Sequence, residues 1–156
     1  MRPSDVAERA PDRPAVIMAG AGDVVTYREL EERSNQLAHL FRARGLGPGA
    51  SIALFVENHP RSHEIMWAAQ RSGLYYTAVN THLTAEEAAY IVDDCGASLL
   101  VSSAQMDSVA SQLTPDLVPN VRTRLMVDGA ADGWESCEKA VSAQPTSPID
   151  DECEGE

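Results

Sequence analysis

The sequence predicts an α/β fold, a mainly parallel sheet flanked by helices and preceded by a small N-terminal hairpin and helix. Three observations point to it. Four apolar runs of strand length, Ser51–Val56, Leu74–Val79, Ser98–Ser103 and Arg124–Asp128, lack the strict alternation of a half-exposed strand, so they read as strands covered on both faces. Between them lie stretches of about 10–13 residues with helical punctuation, which is the alternation of a parallel sheet with crossover helices. The length and apolar content agree with this. A chain of 156 residues with 44% hydrophobic residues fits one domain, able to bury roughly 70% of the surface its unfolded form exposes.

The elements follow in order. Pro14–Met18 and Val24–Tyr27 are short apolar runs separated by Ala-Gly-Ala-Gly-Asp, which predicts a hairpin. The glycines there do not make a dinucleotide fingerprint, because Val25 stands where the third glycine of G-x-G-x-x-G belongs and no helix opens at that point. Thr26 and Glu29 form a capping box. Leu30, Ser34, Leu37, Ala38 and Phe41 then fall on one helix face, and Gly45 stops the helix. After the strand at Ser51–Val56, Pro60 opens a helix from its first position that runs to Gly73. The strand at Leu74–Val79 follows, then a second capping box at Thr84 and Glu87 and a helix running to Gly96. The strand at Ser98–Ser103 leads to a weaker helix over Gln105–Leu113 and then to the strand at Arg124–Asp128. Trp134–Ala143 adds a short helix, and little order is expected from Gln144. The crossovers between parallel strands are expected to be right-handed. The domain reading is therefore residues 1–143 as a partial α/β domain and 144–156 as an acidic tail.

Composition excludes several classes. The net charge is −12, and nine acidic residues and one lysine between Asp128 and Glu156 account for −8 of it. Nucleic acid is not an expected partner, since a phosphate backbone needs a basic face. No stretch approaches the ~18 apolar residues of a membrane span, and the N-terminus lacks the apolar run of a signal peptide, so the expected location is cytoplasmic. Cys95, Cys137 and Cys153 are odd in number and widely spaced, which suggests neither a disulfide framework nor a zinc knuckle.

Open α/β sheets bind ligands at the carboxyl ends of their strands. Here those exits read Glu-Asn-His-Pro, Asn-Thr-His-Leu-Thr, Ser-Ser-Ala-Gln and Asp-Gly-Ala-Ala-Asp-Gly. None is a phosphate cradle, which needs glycines and a lysine, and Lys139 is the single lysine of the chain. His59 and His63 lie four apart, but no third ligand follows at a useful spacing. They read as solvent-facing residues near a helix start, and His82 as a surface residue without an activating partner. Asp93 and Asp94 fall in the last turn of a helix rather than at a strand end. Ser102 and Ser103 follow a strand but lack nucleophile-elbow glycines. Tyr75 and Tyr76 read as core residues of a strand. No catalytic, cofactor-binding or metal-binding residue is assigned.

The order of segments carries a resemblance. Thr-Tyr-x-Glu-Leu at Thr26–Leu30, Gly-Leu-x-x-Gly at Gly45–Gly49 and Asn-x-x-Leu-Thr-x-x-Glu at Asn80–Glu87 are each weak alone and strong in this order. Together they make residues 10–130 resemble the N-terminal part of the adenylate-forming acyl-CoA synthetases. The stretch from Gly73 to Ala97 is most similar to the fatty-acyl ligases of actinobacteria. One departure is Ala50, where relatives usually carry Asp.

The resemblance implies a parent enzyme that joins a fatty carboxylate to AMP with loss of pyrophosphate, then lets the thiol of coenzyme A displace AMP. Fatty acid, ATP, Mg²⁺ and CoA are implied for that parent. Its phosphate loop, adenine site and C-terminal lysine have no matching positions in this sequence. The expectation is therefore a fragment that is inactive alone, binds none of these cofactors itself, and self-associates through apolar surface or a free strand edge. The alternative expectation is a stand-alone, non-catalytic interaction module of the same fold.

Overall fold

A computed structural model describes residues 2–153. Its first element, helix α1 (Pro3–Arg9), is absent from the sequence reading. None of its residues is buried, so there is no apolar periodicity to detect. It is marked only by Pro3 in its first turn and by the Asp5 carboxylate, which accepts the backbone N–H of Arg2 at 2.8 Å. Strands β1 (Pro14–Ile17) and β2 (Val24–Thr26) form the expected antiparallel hairpin.

Helix α2 (Tyr27–Ala43) begins at the expected capping box, with Thr26 Oγ1 accepting from Glu29 N–H and the Glu29 carboxylate accepting from Thr26 N–H. Leu30, Ser34, Leu37, Ala38 and Phe41 are all buried, as their spacing predicts.

A five-stranded parallel sheet follows. It consists of β3 (Ser51–Phe55), β4 (Tyr75–Ala78), β5 (Ala97–Ser103), β6 (Thr123–Val127) and β7 (Glu135–Ser136), in the spatial order β4-β3-β5-β6-β7. Helix α3 (Pro60–Arg71) links β3 to β4, and α4 (Ala85–Asp94) links β4 to β5. The predicted helix at Gln105–Leu113 is shorter than expected, a single 3₁₀ turn at Ala104–Met106 and helix α5 (Asp107–Ala110). Helix α6 (Cys137–Ser142) starts later than predicted, because Glu135 and Ser136 first pair with Leu125 and Met126. A two-residue strand leaves no pattern in sequence.

Successive strand residues point to opposite faces, and the core divides accordingly. On one face Leu37, Leu40, Phe41, Ile65 and Val141 of α2, α3 and α6 pack on Ile52, Leu54, Leu99, Val101 and Leu125. On the other, Ala88, Ala89, Val92 and Ala110 of α4 and α5 pack on Ala53, Phe55, Leu100 and Met126. The central strands are thus sealed on both sides, as their unbroken apolar runs predict.

Two expectations need correction. Tyr75 and Tyr76 are not core residues, being 64% and 44% exposed. Their strand is β4, the edge of the sheet, and edge position is set by strand order, which local sequence does not encode. Residues 144–153 are also ordered against the domain rather than loose. Side chains of α2 reach them, with Gln36 Nε2 donating to Gln144 O, Asn35 Nδ2 to Thr146 O and Arg42 Nε to Asp151. Ile149 is buried, and Cys153 N–H donates to Arg71 O at 2.7 Å. The rest of the predicted tail, residues 154–156, lies outside the described residues.

Candidate functional site

The strand order is that of a doubly wound sheet in which the chain first builds toward one edge and then returns to build toward the other. The reversal falls between β3 and β5, and ligands of such sheets bind outside the carboxyl ends at that point. A cleft of about 420 Å³ opens beside that point, at the exits of β3 and β4, lined by Met18 of the hairpin and by Val56, Glu57, His59, His63 and Ala78.

The side chains at this end form a network. His59 is the N-cap residue of α3, and its ring Nδ1 accepts the backbone N–H of Arg61 at 3.1 Å. With Nδ1 an acceptor, Nε2 carries the proton and donates to Asp128 Oδ2 at 2.8 Å. Both ring nitrogens are therefore engaged. His59 thus ties the exit of β3 to the exit of β6, whereas His63 is exposed.

Asp128 sits at φ 58°, a left-handed conformation that Asp tolerates better than most residues. Its N–H donates to Glu138 Oε1. The following Gly129 has no room for a side chain, since a Cβ there would lie 2.9 Å from Cβ of Ala104. This close approach holds the β6 exit against the β5 exit. On β5, Ser103 Oγ donates to the Glu57 carboxylate and Ser102 Oγ to Phe55 O. The two serines thus tie β5 to β3 and its exit.

The cations near the cleft are committed inward. Arg61 donates to Glu64 at 2.7 Å and lies 3.7 Å from Glu138. Glu64 is 2% exposed and also meets Arg33 at 3.2 Å. Burial works against the Arg61 charge, but the Glu64 carboxylate beside it holds the guanidinium above its ordinary pKa.

A second cluster, on α2 and α3, centres on Arg71, which is 1% exposed. It donates to both carboxylate oxygens of Glu31 and to the Asn35 side chain, and lies over the ring of Trp67 at 5.9 Å. Neither cluster was legible in sequence. Their contacts between α2 and α3 join residues 31 to 40 apart, as in Arg33–Glu64 and Arg71–Glu31, and a single charge on a helix carries no sign of being buried.

The remaining candidates stand apart from the cleft. Exposed His82 pairs with Asn80, whose Oδ1 also accepts the His82 backbone N–H in a turn before α4. Asp93 accepts from Asn120 at the end of α4. Lys139 is exposed on α6. All three cysteines are free thiols. Burial pushes the Cys137 thiol up to about 12.

The cleft therefore offers a carboxylate, imidazoles and apolar walls. No lysine or arginine lines it among the described residues, and the strand exits present no glycine-rich cradle. These residues do not fit a magnesium–triphosphate group, whose charge needs cationic and backbone N–H partners.

Comparison with known proteins identifies the lineage. The profile of a family described as AMP-binding enzyme matches residues 4–154. The chain is 33% identical over 107 residues to Fatty acid--[acyl-carrier-protein] ligase ScoC of Streptomyces coeruleorubidus, covering 69% of this chain and 20% of that protein. It is 26% identical over 144 residues to Long-chain fatty acid transport protein 6 of Homo sapiens, covering 92% and 23%. The chain thus spans about a fifth of the length of the curated relatives it matches.

Among solved structures, the Mycobacterium tuberculosis fatty acyl CoA synthetase shares the fold with a TM-score of 0.84 at 21% identity, over 98% of this chain and 30% of that one. The N-terminal domain of FACL13 from the same organism gives 0.85 at 20% identity, over 99% and 38%. Among the described residues no helix is long and apolar enough to cross a membrane. With the profile running nearly end to end and the sheet shared with these synthetases, the chain belongs to the AMP-binding enzyme family.

Proposed function

We propose that this chain is the first part of an ATP-dependent fatty-acid–CoA ligase and supplies scaffold rather than catalytic groups. One observation carries the reading. The family match spans almost the whole chain, yet the cleft at the carboxyl ends of β3 and β4 is lined by Glu57, His59 and His63 and by no lysine or arginine. Adenylation of a carboxylate needs the charge on ATP neutralised, so the groups that do this lie in polypeptide beyond this chain. ATP, Mg²⁺ and CoA are accordingly ligands of the parent enzyme. The fatty-acid ligase among the relatives supports the substrate class, and the three free thiols are in keeping with a reducing, cytoplasmic location.

The test is ATP–pyrophosphate exchange with fatty acids of several chain lengths, run on the 156-residue chain and on the product of the complete reading frame. The expected result is exchange by the complete product and none above background by the chain alone. Robust exchange by the 156 residues would overturn the scaffold reading. A complete product that exchanges with amino acids or aryl acids but not with fatty acids would overturn the substrate class.

A further inference from the structure

We infer that β4 is a self-pairing edge, through which two copies of this chain join their sheets antiparallel about a two-fold axis at Thr77. This does not rest on the ligase reading. The hydrogen-bond pattern sets the geometry. Tyr75 N–H donates to Ala50 O and Val79 N–H to Leu54 O, and the register places Tyr75 beside Ser51 and Thr77 beside Ala53. Odd-numbered residues of β4 therefore turn their backbone groups toward β3. By the alternation of a strand, Tyr76 and Ala78 turn their N–H and C=O outward. Among the described residues no backbone group pairs with that side.

Two outward residues separated by one form a self-complementary set. Antiparallel strands exchange both bonds between directly opposed residues. Tyr76 facing the partner's Ala78, and Ala78 facing the partner's Tyr76, use all the outward groups at once. Thr77 then faces its own copy across the axis in the close, non-hydrogen-bonded position.

The rest of the edge suits a second copy. Proteins guard exposed edges with charges, proline or bulges, whereas Tyr-Tyr-Thr-Ala carries none of these and its pairing to β3 is regular. Apolar surface flanks it, since Ile17 of the hairpin is 66% exposed and shares a cleft with Ala78. Charge points the same way. A net charge of −12 opposes self-association generally, but β4 itself, Tyr75–Ala78, carries no charged side chain to repel its copy.

The experiment is analytical ultracentrifugation of the 156-residue chain over a range of concentrations, with two variants. The wild type is expected to be a dimer at high micromolar concentration. Ala78→Pro removes one outward N–H from each copy, a change an edge strand tolerates. It should weaken the dimer roughly tenfold or more, two interchain bonds being lost, with an unchanged far-ultraviolet circular dichroism spectrum. Thr77→Cys places thiols across the axis at about 4.5 Å between Cα atoms, close enough for a disulfide between the two copies at position 77. Peptide mapping after mild oxidation reads it, and it decides the question even if Ala78→Pro fails to fold. A wild-type monomer at all concentrations overturns the inference. So does a dimer with no crosslink at position 77. The exchange assay of the ligase reading is unaffected by either result.

Discussion

Cys137 shows how one residue's chemistry is decided by the layer it lies in. It is the first residue of α6 and is buried between that helix and the sheet. Burial is the main cause of its high pKa, about 12, and the nearby Arg61 charge offsets only part of it. Since the thiolate is the reactive form, iodoacetamide at pH 8 is expected to label the half-buried Cys95 and Cys153 well before Cys137, with the difference disappearing in urea. Mass spectrometry of a labelling time course checks this, and equal native rates would contradict the placement of Cys137. The same non-locality governs the cleft. His59 is a candidate on sequence grounds because of its spacing to His63, but its actual partner is Asp128, 69 residues away. Residue type and spacing nominated the histidine. Only the sheet order, which brings the β3 and β6 exits together, turned it into a cap and tie.

At the scale of elements, the legible pieces are those whose signals are local. The helix that opens at Thr26 is an example, since its N-cap, its Glu29 partner and its apolar face all lie within one short stretch. Thr26→Ala should cost about 1 kcal/mol of stability, the usual worth of an N-cap, measurable as a lower urea midpoint. The pH dependence has a definite sign. The Glu29 carboxyl is held below its ordinary range chiefly because it accepts the Thr26 backbone N–H, with burial opposing and the Thr26 hydroxyl and Arg33 assisting. A depressed carboxylate pKa contributes stability that is complete above the ordinary glutamate value of about 4.3 and is lost as pH falls through the folded value. The gap between wild type and Glu29→Ala should therefore be full at pH 7 and shrink progressively below pH ~4. A gap independent of pH would mean that Glu29 acts through packing alone. Helix α1 and strand β7 escaped the sequence for the converse reason, one having no buried face and the other only two residues.

At the scale of the whole molecule, what the sequence hid was contact between distant parts. The burial of β4 depends on its place at the sheet edge, and the order of residues 144–153 depends on a helix more than a hundred residues earlier. Read locally, that segment is polar, acidic and rich in Ser and Pro, hence the expectation of a loose tail. In the structure it is a strap across α2 and α3, and the way it is held decides how it behaves. It contributes one large buried aliphatic side chain, Ile149. Otherwise it is held by polar contacts to Asn35, Gln36, Arg42 and Arg71, each worth about 1 kcal/mol net, and its Asp151 contact is exposed to screening by salt. Strands β3 and β5, by contrast, are buried on both faces. Native-state hydrogen exchange separates local from global opening. The amide of Cys153, although bonded to Arg71 O at 2.7 Å, should exchange by local opening, faster than Leu100 and Val101 of β5, and faster still as salt is raised. If Cys153 instead exchanges as slowly as β5 and is indifferent to salt, the strap unfolds only with the sheet and is part of the domain's single cooperative unit.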